Sequence, residues 1–413
     1  MALTKLTTIR LNYGQQGHFE CEIDARRVVS SPAVPDALAD VGRELRSALS
    51  APLDFPPLEQ ALIPGDHVVL ALDRDTPQAA ALIRETWDIL SRQGVKPEDI
   101  IVLQPAAFSG RSQSNPLVDL PEEIRNGITW TIHDPSDSDR CAYLSTTTSA
   151  ERIYLARDMT EADVVVTIGS VAYDPLTGYR GTNSVLYPGL SNVDAIERSR
   201  GQGHRELGPD DERPLRQMID EIGWMTGNQF TIQVIASAGD GVSHVLAGAA
   251  DSVFRRGKQL LSEHWLIEVD RRPDVVVAAV DCDAAGHGWD QIGAALSTAR
   301  NLVAGGGKIV ILSELSAELG QGLELVRQCD TAGDAIQPLR TFLPPDLIPA
   351  TQLASTVDWA DVYLLSGLEG HVVEDLFMVP LDDPDDVSRL LRGDEPCLFL
   401  GSAQHTFGQT PIG

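Results

Sequence analysis

Val164-Val165-Val166-Thr167-Ile168 is one of a series of short apolar runs, each parted from the next by a longer amphipathic stretch, and that alternation is what most restricts the fold of this chain. A run too short for a helix and apolar on both faces reads as a strand buried in a parallel sheet; the stretches between read as the covering helices. The pattern predicts strands over 67–72, 100–103 and 164–168, with helices over 78–93 and 213–224. It then repeats, with strands over 275–280, 308–312, 358–365 and 396–400 and a helix over 289–303 that stops at Gly305-Gly306-Gly307. The expected class is therefore α/β, as two α/β domains with mainly parallel sheets and an inter-domain cleft. Arg271-Arg272-Pro273 marks the boundary, giving domains of 1–270 and 274–413. Residues 4–24 alternate differently, Ile9, Leu11 and Tyr13 being spaced by polar residues, and predict an antiparallel pair turning at 14–17.

At 413 residues the chain is long enough for two cores, and 43% hydrophobic with 22% charged residues is the balance of a globular protein. No apolar run reaches the length of a membrane span, and the N-terminus shows no secretory pattern, so the expected location is cytoplasmic, with no membrane partner. The five cysteines form no CxxC pair, which points to reduced thiols rather than a disulfide framework or a structural zinc site. A net charge of −28 disfavours nucleic acid, whose binding draws on Lys and Arg. A small anionic metabolite, held in a locally basic pocket, is the expected partner; the oligomeric state is left open.

Three constellations carry chemistry. Asp73-Arg74-Asp75-Thr76-Pro77 follows a strand directly, where open parallel sheets place ligand contacts, although Asp75 or Thr76 also suits a helix cap with Pro77 in the first turn. Gly178-Tyr179-Arg180-Gly181, continuing to Pro188-Gly189, is either a ligand loop or an ordinary Gly-rich connection. Around it Asp174, Tyr179, Arg180, Arg200, His204 and Arg205 bring together a carboxylate, guanidiniums and an imidazole, a set suited to an anion, with Asp174 or His204 placed to move a proton. The alternative is that 197–205 is a solvated charged segment. Asp281-Cys282-Asp283 with His287 has ligand types for a divalent ion, but structural turn residues account for it better.

The chain resembles the lactate racemase family, whose members use a nickel-pincer nucleotide. The family pattern, which runs from a Pro-His pair through Ala-Gly-Tyr-Ser-Gly-Gly-Arg-Lys to Pro-Gly after a strand, resembles Tyr173-Asp174-Pro175-Leu176-Thr177-Gly178-Tyr179-Arg180-Gly181 leading to Pro188-Gly189. An early Asp-x-Thr-Arg-Pro motif resembles residues 73–77, and a later stretch resembles 291–311. The resemblance implies a two-domain α/β fold and a racemase or epimerase, an isomerase acting on a 2-hydroxy acid or sugar acid. It places Asp73, Thr76, Tyr179, Gly181 and Ser184 at the cofactor, Arg180, Arg200 and Gln291 at the substrate, Asp174 and His204 as the catalytic pair, and His204 as the metal ligand.

Several family positions carry different residues here. The two acid/base histidines align with Phe108 and Asp174, the lysine that tethers the nucleotide with Ser184, the nickel-ligating histidine near Arg200, and a substrate lysine with Ala294. The resemblance therefore implies a nucleotide held without a covalent bond if one is used. Two expectations follow: an isomerase of this kind on an altered site, or a homologue without the nickel nucleotide that binds an anionic metabolite or performs other acid/base chemistry.

Overall fold

The computed structural model describes residues 5–107, 109–203, 207–228 and 230–410. Its strands are β1 (Leu6–Tyr13), β2 (Gly17–Asp24), β3 (Val28–Ser30), β4 (Val68–Leu72), β5 (Ile100–Pro105), β6 (Thr129–His133), β7 (Cys141–Thr146), β8 (Arg152–Ala156), β9 (Val164–Ser170), β10 (Ala172–Asp174) and β11 (Gly178–Arg180). They continue as β12 (Phe230–Ala236), β13 (Val242–Ala249), β14 (Leu266–Glu268), β15 (Val275–Ala279), β16 (Lys308–Leu312), β17 (Asp361–Leu365), β18 (Val379–Leu381), β19 (Cys397–Leu400) and β20 (Phe407–Gln409).

The chain divides into a terminal unit of Met1–Pro35, Phe108–Ser112 and His264–Gly413 and a middle unit of Asp36–Ala107 and Gln113–Glu263. This differs from the expected split into 1–270 and 274–413. The first residues join the C-terminal sheet because β3 pairs in parallel with β19, and because the β1–β2 hairpin lays Ile9, Leu11, Phe19 and Ile23 on Val275, Val277 and Phe399. An amphipathic hairpin does not announce which sheet it will cover. Arg271-Arg272-Pro273 lies inside the terminal unit rather than at a boundary.

The middle unit is built on a six-stranded sheet of order β13-β12-β9-β4-β5-β6, parallel except for β13. β4 is buried along its whole length, which is why it reads as the unbroken run Val-Val-Leu-Ala-Leu. Leu70, Leu72, Ile168 and Ile232 pack on one face with Leu45, Leu82, Ile83 and Leu90 from the helices over 41–50 and 79–92. Val69, Ala71 and Leu103 pack on the other with Leu186, Leu215 and Ile219. The chain leaves β4 toward β5 on one side and later returns to β9 on the other, so the C-terminal ends of β4 and β9 meet at a switch in strand order, where such sheets open a crevice.

The helix after β4 begins differently from the cap expected at Asp75 or Thr76. Ala79 is its first residue and Gln78 its cap position, in left-handed backbone with φ +55°. Gln78 is held there by Asp240, whose carboxylate accepts its N–H at 3.0 Å and its side-chain amide at 2.7 Å. Residues 73–77 are thereby left as a loop at the crevice.

The terminal unit repeats the plan with an all-parallel sheet of order β18-β17-β16-β15-β19-β3. β15 lies between β16 and β19, giving this sheet its own switch point at residues 280–283. No described helix is long and apolar enough to cross a membrane.

Candidate functional site

Asp73 is the first residue beyond β4, and its N–H bonds the carbonyl of Ile168 on the neighbouring strand at 2.8 Å. That bond turns its side chain into the crest, where it is 9% exposed. The Arg74 N–H donates to Asp73 Oδ1 at 2.9 Å, and Thr76 Oγ1 donates to the Asp73 carbonyl at 2.9 Å, closing the loop on itself. Burial pushes the Asp73 carboxyl up, against the pull of the Arg180 and Arg74 guanidiniums and the Arg74 amide.

The neighbour across the crest is Gly169 of β9. A Cβ there would lie 3.1 Å from Asp73 Cβ and 3.3 Å from Gln233 Oε1, so its lack of a side chain lets Asp73 and Gln233 approach. Gly181, with φ +111°, meets the same amide oxygen: its Cβ would lie 3.1 Å from Gln233 Oε1 and 3.0 Å from the Ser170 carbonyl. Asp73, Gly169, Gly181 and Gln233 are therefore one locality, with the half-buried Arg180 acting on Asp73 from the adjoining strand. Among the described residues the Arg180 guanidinium has neither a hydrogen bond nor an ion pair.

The hairpin of β10 and β11 sets the direction of Arg180, with Tyr173 opposite Tyr179 and Asp174 opposite Gly178. Asp174 Oδ1 accepts from the N–H groups of Leu176 and Thr177 at 2.9 and 2.7 Å and from Thr177 Oγ1 at 2.8 Å. Its carboxylate thus forms the hairpin turn, an Asx arrangement that ties one oxygen to the backbone. Tyr179 is buried and donates to Asp210 Oδ2 at 3.0 Å, while Lys258 pairs with Asp210 at 3.3 Å and lies 5.1 Å from the Tyr179 ring centre. Burial, with Asp210 alongside, pushes the Tyr179 phenol up. Its part is to pin the hairpin to the helix over 250–265.

Ser184 Oγ accepts the Gly181 N–H at 2.7 Å and donates to the Gly181 carbonyl at 3.2 Å. It closes the turn that Gly181 opens. Arg200 ends the helix over 193–200, half-buried; Arg198 of that helix pairs with Glu151 at 2.8 Å, as a solvated face would. His204 and Arg205, like Phe108, lie outside the described residues.

Gln291 belongs to the terminal unit, where its Oε1 accepts the Gly288 N–H at 2.8 Å and boxes the start of the helix over 289–302. The neighbouring cluster is built as a turn, in agreement with its sequence. Asp281 accepts from Ser402 Oγ at 2.9 Å and Gln404 Nε2 at 2.6 Å, and Asp283 pairs with Arg111 at 3.1 Å. Among the described residues no group of three or more His, Cys, Asp or Glu side chains is arranged to hold a metal ion.

Sequence reasoning passed over Gln233, Thr182 and Asp210. Gln233 and Thr231 alternate with apolar residues in β12 and resemble the solvent face of a strand, yet both are fully buried. The signal for Thr182 was present: the family pattern has glycine there, and Thr182 has φ +53°.

A buried carboxyl under the influence of a guanidinium, at the switch point of a mainly parallel sheet, belongs to a protein of the α/β class. Residues 13–205 match the model of the lactate racemase N-terminal domain, which bears out the resemblance to that family over this stretch. The lactate racemase apoprotein from Thermoanaerobacterium thermosaccharolyticum superposes with a TM-score of 0.79 at 15% identity, over 98% of this chain and 100% of that one. A Thermotoga maritima protein from a structural genomics programme superposes with a TM-score of 0.66 at 14% identity, over 92% of this chain and 100% of that one. At such identities these likenesses concern the fold. No curated protein sequence matches.

A covalently attached nickel nucleotide does not fit the residues around Gly181. The position aligned with the tethering lysine is Ser184, which has no amine and whose hydroxyl is spent on Gly181 at both N–H and carbonyl.

Proposed function

We propose that this chain is a lactate racemase-like isomerase acting on a small 2-hydroxy acid or sugar acid. The reading is carried by Asp73 at the switch point under the electrostatic pull of Arg180: a half-buried guanidinium among the described residues without a hydrogen bond or ion pair, and a carboxyl that burial pushes up. Arg180 takes the carboxylate, in the planar fork geometry that guanidinium offers. Asp73, rather than the turn-bound Asp174, exchanges a proton with the substrate. Partial burial excludes water and strengthens both interactions. The test is to supply single enantiomers of lactate, glycerate and mandelate and follow the appearance of the other by chiral chromatography. Inversion that Arg180→Met abolishes supports the assignment; inversion unchanged by that substitution defeats it.

The Ser184 bonds also support a second reading, a homologue that binds an anionic metabolite without the nickel nucleotide. Elemental mass spectrometry separates the two on protein made in a host that assembles the nucleotide, with a control racemase loaded in parallel. Near-stoichiometric nickel supports a noncovalently held cofactor. Nickel in the control alone supports the second reading.

A further inference from the structure

We infer that Gln233 and Thr182 read a hydrogen-bond donor on the ligand, so that the crest distinguishes a hydroxy acid from a plain carboxylic acid; this rests on the anion site proposed at Arg180. Two unfavourable features converge on Gly181. Thr182, a β-branched residue 1% exposed, is held at φ +53°, a backbone state such side chains rarely adopt, and its buried hydroxyl has no partner. Gln233 is fully buried, and its Oε1 has no donor.

The orientation of the Gln233 amide is not arbitrary. The Thr231 hydroxyl donates to the Thr167 carbonyl at 3.1 Å and accepts from Thr167 Oγ1 at 2.8 Å. With its hydrogen committed, it meets Gln233 as an acceptor, taking Nε2–H at 2.8 Å. The ladder continues through Asn228, which reaches Asn183 at 3.0 Å, to the Asp220–Arg216 pair at 2.7 Å. Nε2 thus faces the ladder and Oε1 faces Gly169 and Gly181, beside Asp73.

An amide oxygen only accepts, so it selects O–H or N–H on whatever arrives. With the carboxylate on Arg180, that group belongs to the substituent of a hydroxy acid. Both atoms are closed to solvent, and the ligand reaches them by displacing the Gly181–Thr182 turn, whose left-handed backbone gains by relaxing.

The experiment titrates full-length protein and its Gln233→Met and Thr182→Gly variants with L-lactate, D-lactate and propionate, which lacks only the hydroxyl, and records thermal midpoints. The expectation is that the wild type prefers a lactate to propionate at least about tenfold, since a site built to hydrogen-bond a group rejects the analogue without it. Both variants should lose that preference, keep their propionate affinity and melt no lower than the wild type. Equal binding of lactate and propionate by the wild type overturns the inference while leaving the Arg180 site standing. So does a lowered midpoint with the preference intact, or an ordered water joining Thr182 Oγ1 to Gln233 Oε1 in crystals both with and without lactate. Binding of no acid by the wild type defeats the Arg180 site and this inference with it.

Discussion

His287 accepts the backbone N–H of Glu314 through Nε2 at 3.1 Å, and that single bond fixes its ring proton on Nδ1. The imidazole is 5% exposed. Burial pulls it down to about 4, with the Arg111 guanidinium acting in the same direction and Glu314 and Asp281 opposing. It is therefore a neutral histidine at pH 7, used to hold the loop after β16 against the start of the helix over 289–302.

This has a pH signature. The unfolded chain takes up a proton near the ordinary imidazole value of 6.5 and the folded chain only near 4, so the contribution is complete above 6.5 and is lost as pH falls toward 4. A loss of about 2–3 kcal/mol from this residue is expected by pH 4.5. Urea unfolding at pH 7 and 4.5, compared between wild type and His287→Gln, isolates it from the carboxylates that titrate in the same range. The variant should lose less stability across that interval; equal losses would remove His287 as the cause.

Arg111 is nearly buried, with its side chain 8% exposed, and meets both oxygens of Asp283 at 3.1 Å. The Ser112 N–H adds a bond to the Ala285 carbonyl at 3.1 Å, and Gly110 lies so close to Ala317 that a Cβ would come within 2.5 Å of the alanine methyl. Arg111→Met strands a carboxylate in a partly desolvated place and should cost about 2–4 kcal/mol. Arg111→Met with Asp283→Asn should recover part of it. A double-mutant cycle in urea reads the coupling, expected at about 1–3 kcal/mol; strict additivity of the single losses would show that the pair is not coupled.

What was legible in the sequence was the repeated strand and helix grammar. Lys308–Leu312 was read to the residue, and β4, β9 and β15 to within two, because strands buried on both faces leave continuous apolar runs. The turn nature of Asp281 and Asp283 was also legible, since Asx chemistry is local. The attachment of residues 1–35 to the terminal unit was not, because it depends on β3 finding β19, a pairing across most of the chain that no local pattern encodes. The same reason hid Gln233, which matters only because glycines at 169 and 181 let its amide approach Asp73. The cap at Gln78 was missed because Asp240, distant in sequence, overrides the preference of Asp75 and Thr76 for that place.

Asp73 titrates in the opposite sense to His287. Its folded value is raised by burial, so its contribution is fully present below the usual carboxylate value of 3.8 and is lost as pH rises through the folded value. At pH 7 the charged form is a cost, offset by Arg180 and Arg74. Asp73→Asn should therefore melt no lower than wild type at neutral pH and gain about 1 kcal/mol, while losing about 10²–10⁴-fold in turnover if the carboxyl moves a proton. Thermal midpoints and chiral turnover assays on the same preparations read both; a variant that is both destabilised and active would assign Asp73 a structural part only.

The charge of the whole chain sets one further expectation. With 60 acidic and 32 basic residues the net charge is −28, and the folded state brings those like charges closer together than the unfolded chain does. Salt shortens the reach of that repulsion, from a Debye length of about 10 Å at 0.1 M to about 3 Å at 1 M. The thermal midpoint should rise steeply with KCl below about 0.5 M and level off toward 1 M, as screening does once the Debye length falls below the spacing of neighbouring charges. A preferential-exclusion effect would instead keep rising, and more steeply with potassium sulfate than with KCl at equal ionic strength. Matched titrations of the two salts, followed by differential scanning calorimetry, separate the causes: coincident, saturating curves assign the gain to relief of acidic self-repulsion, and diverging, unsaturated curves assign it to burial.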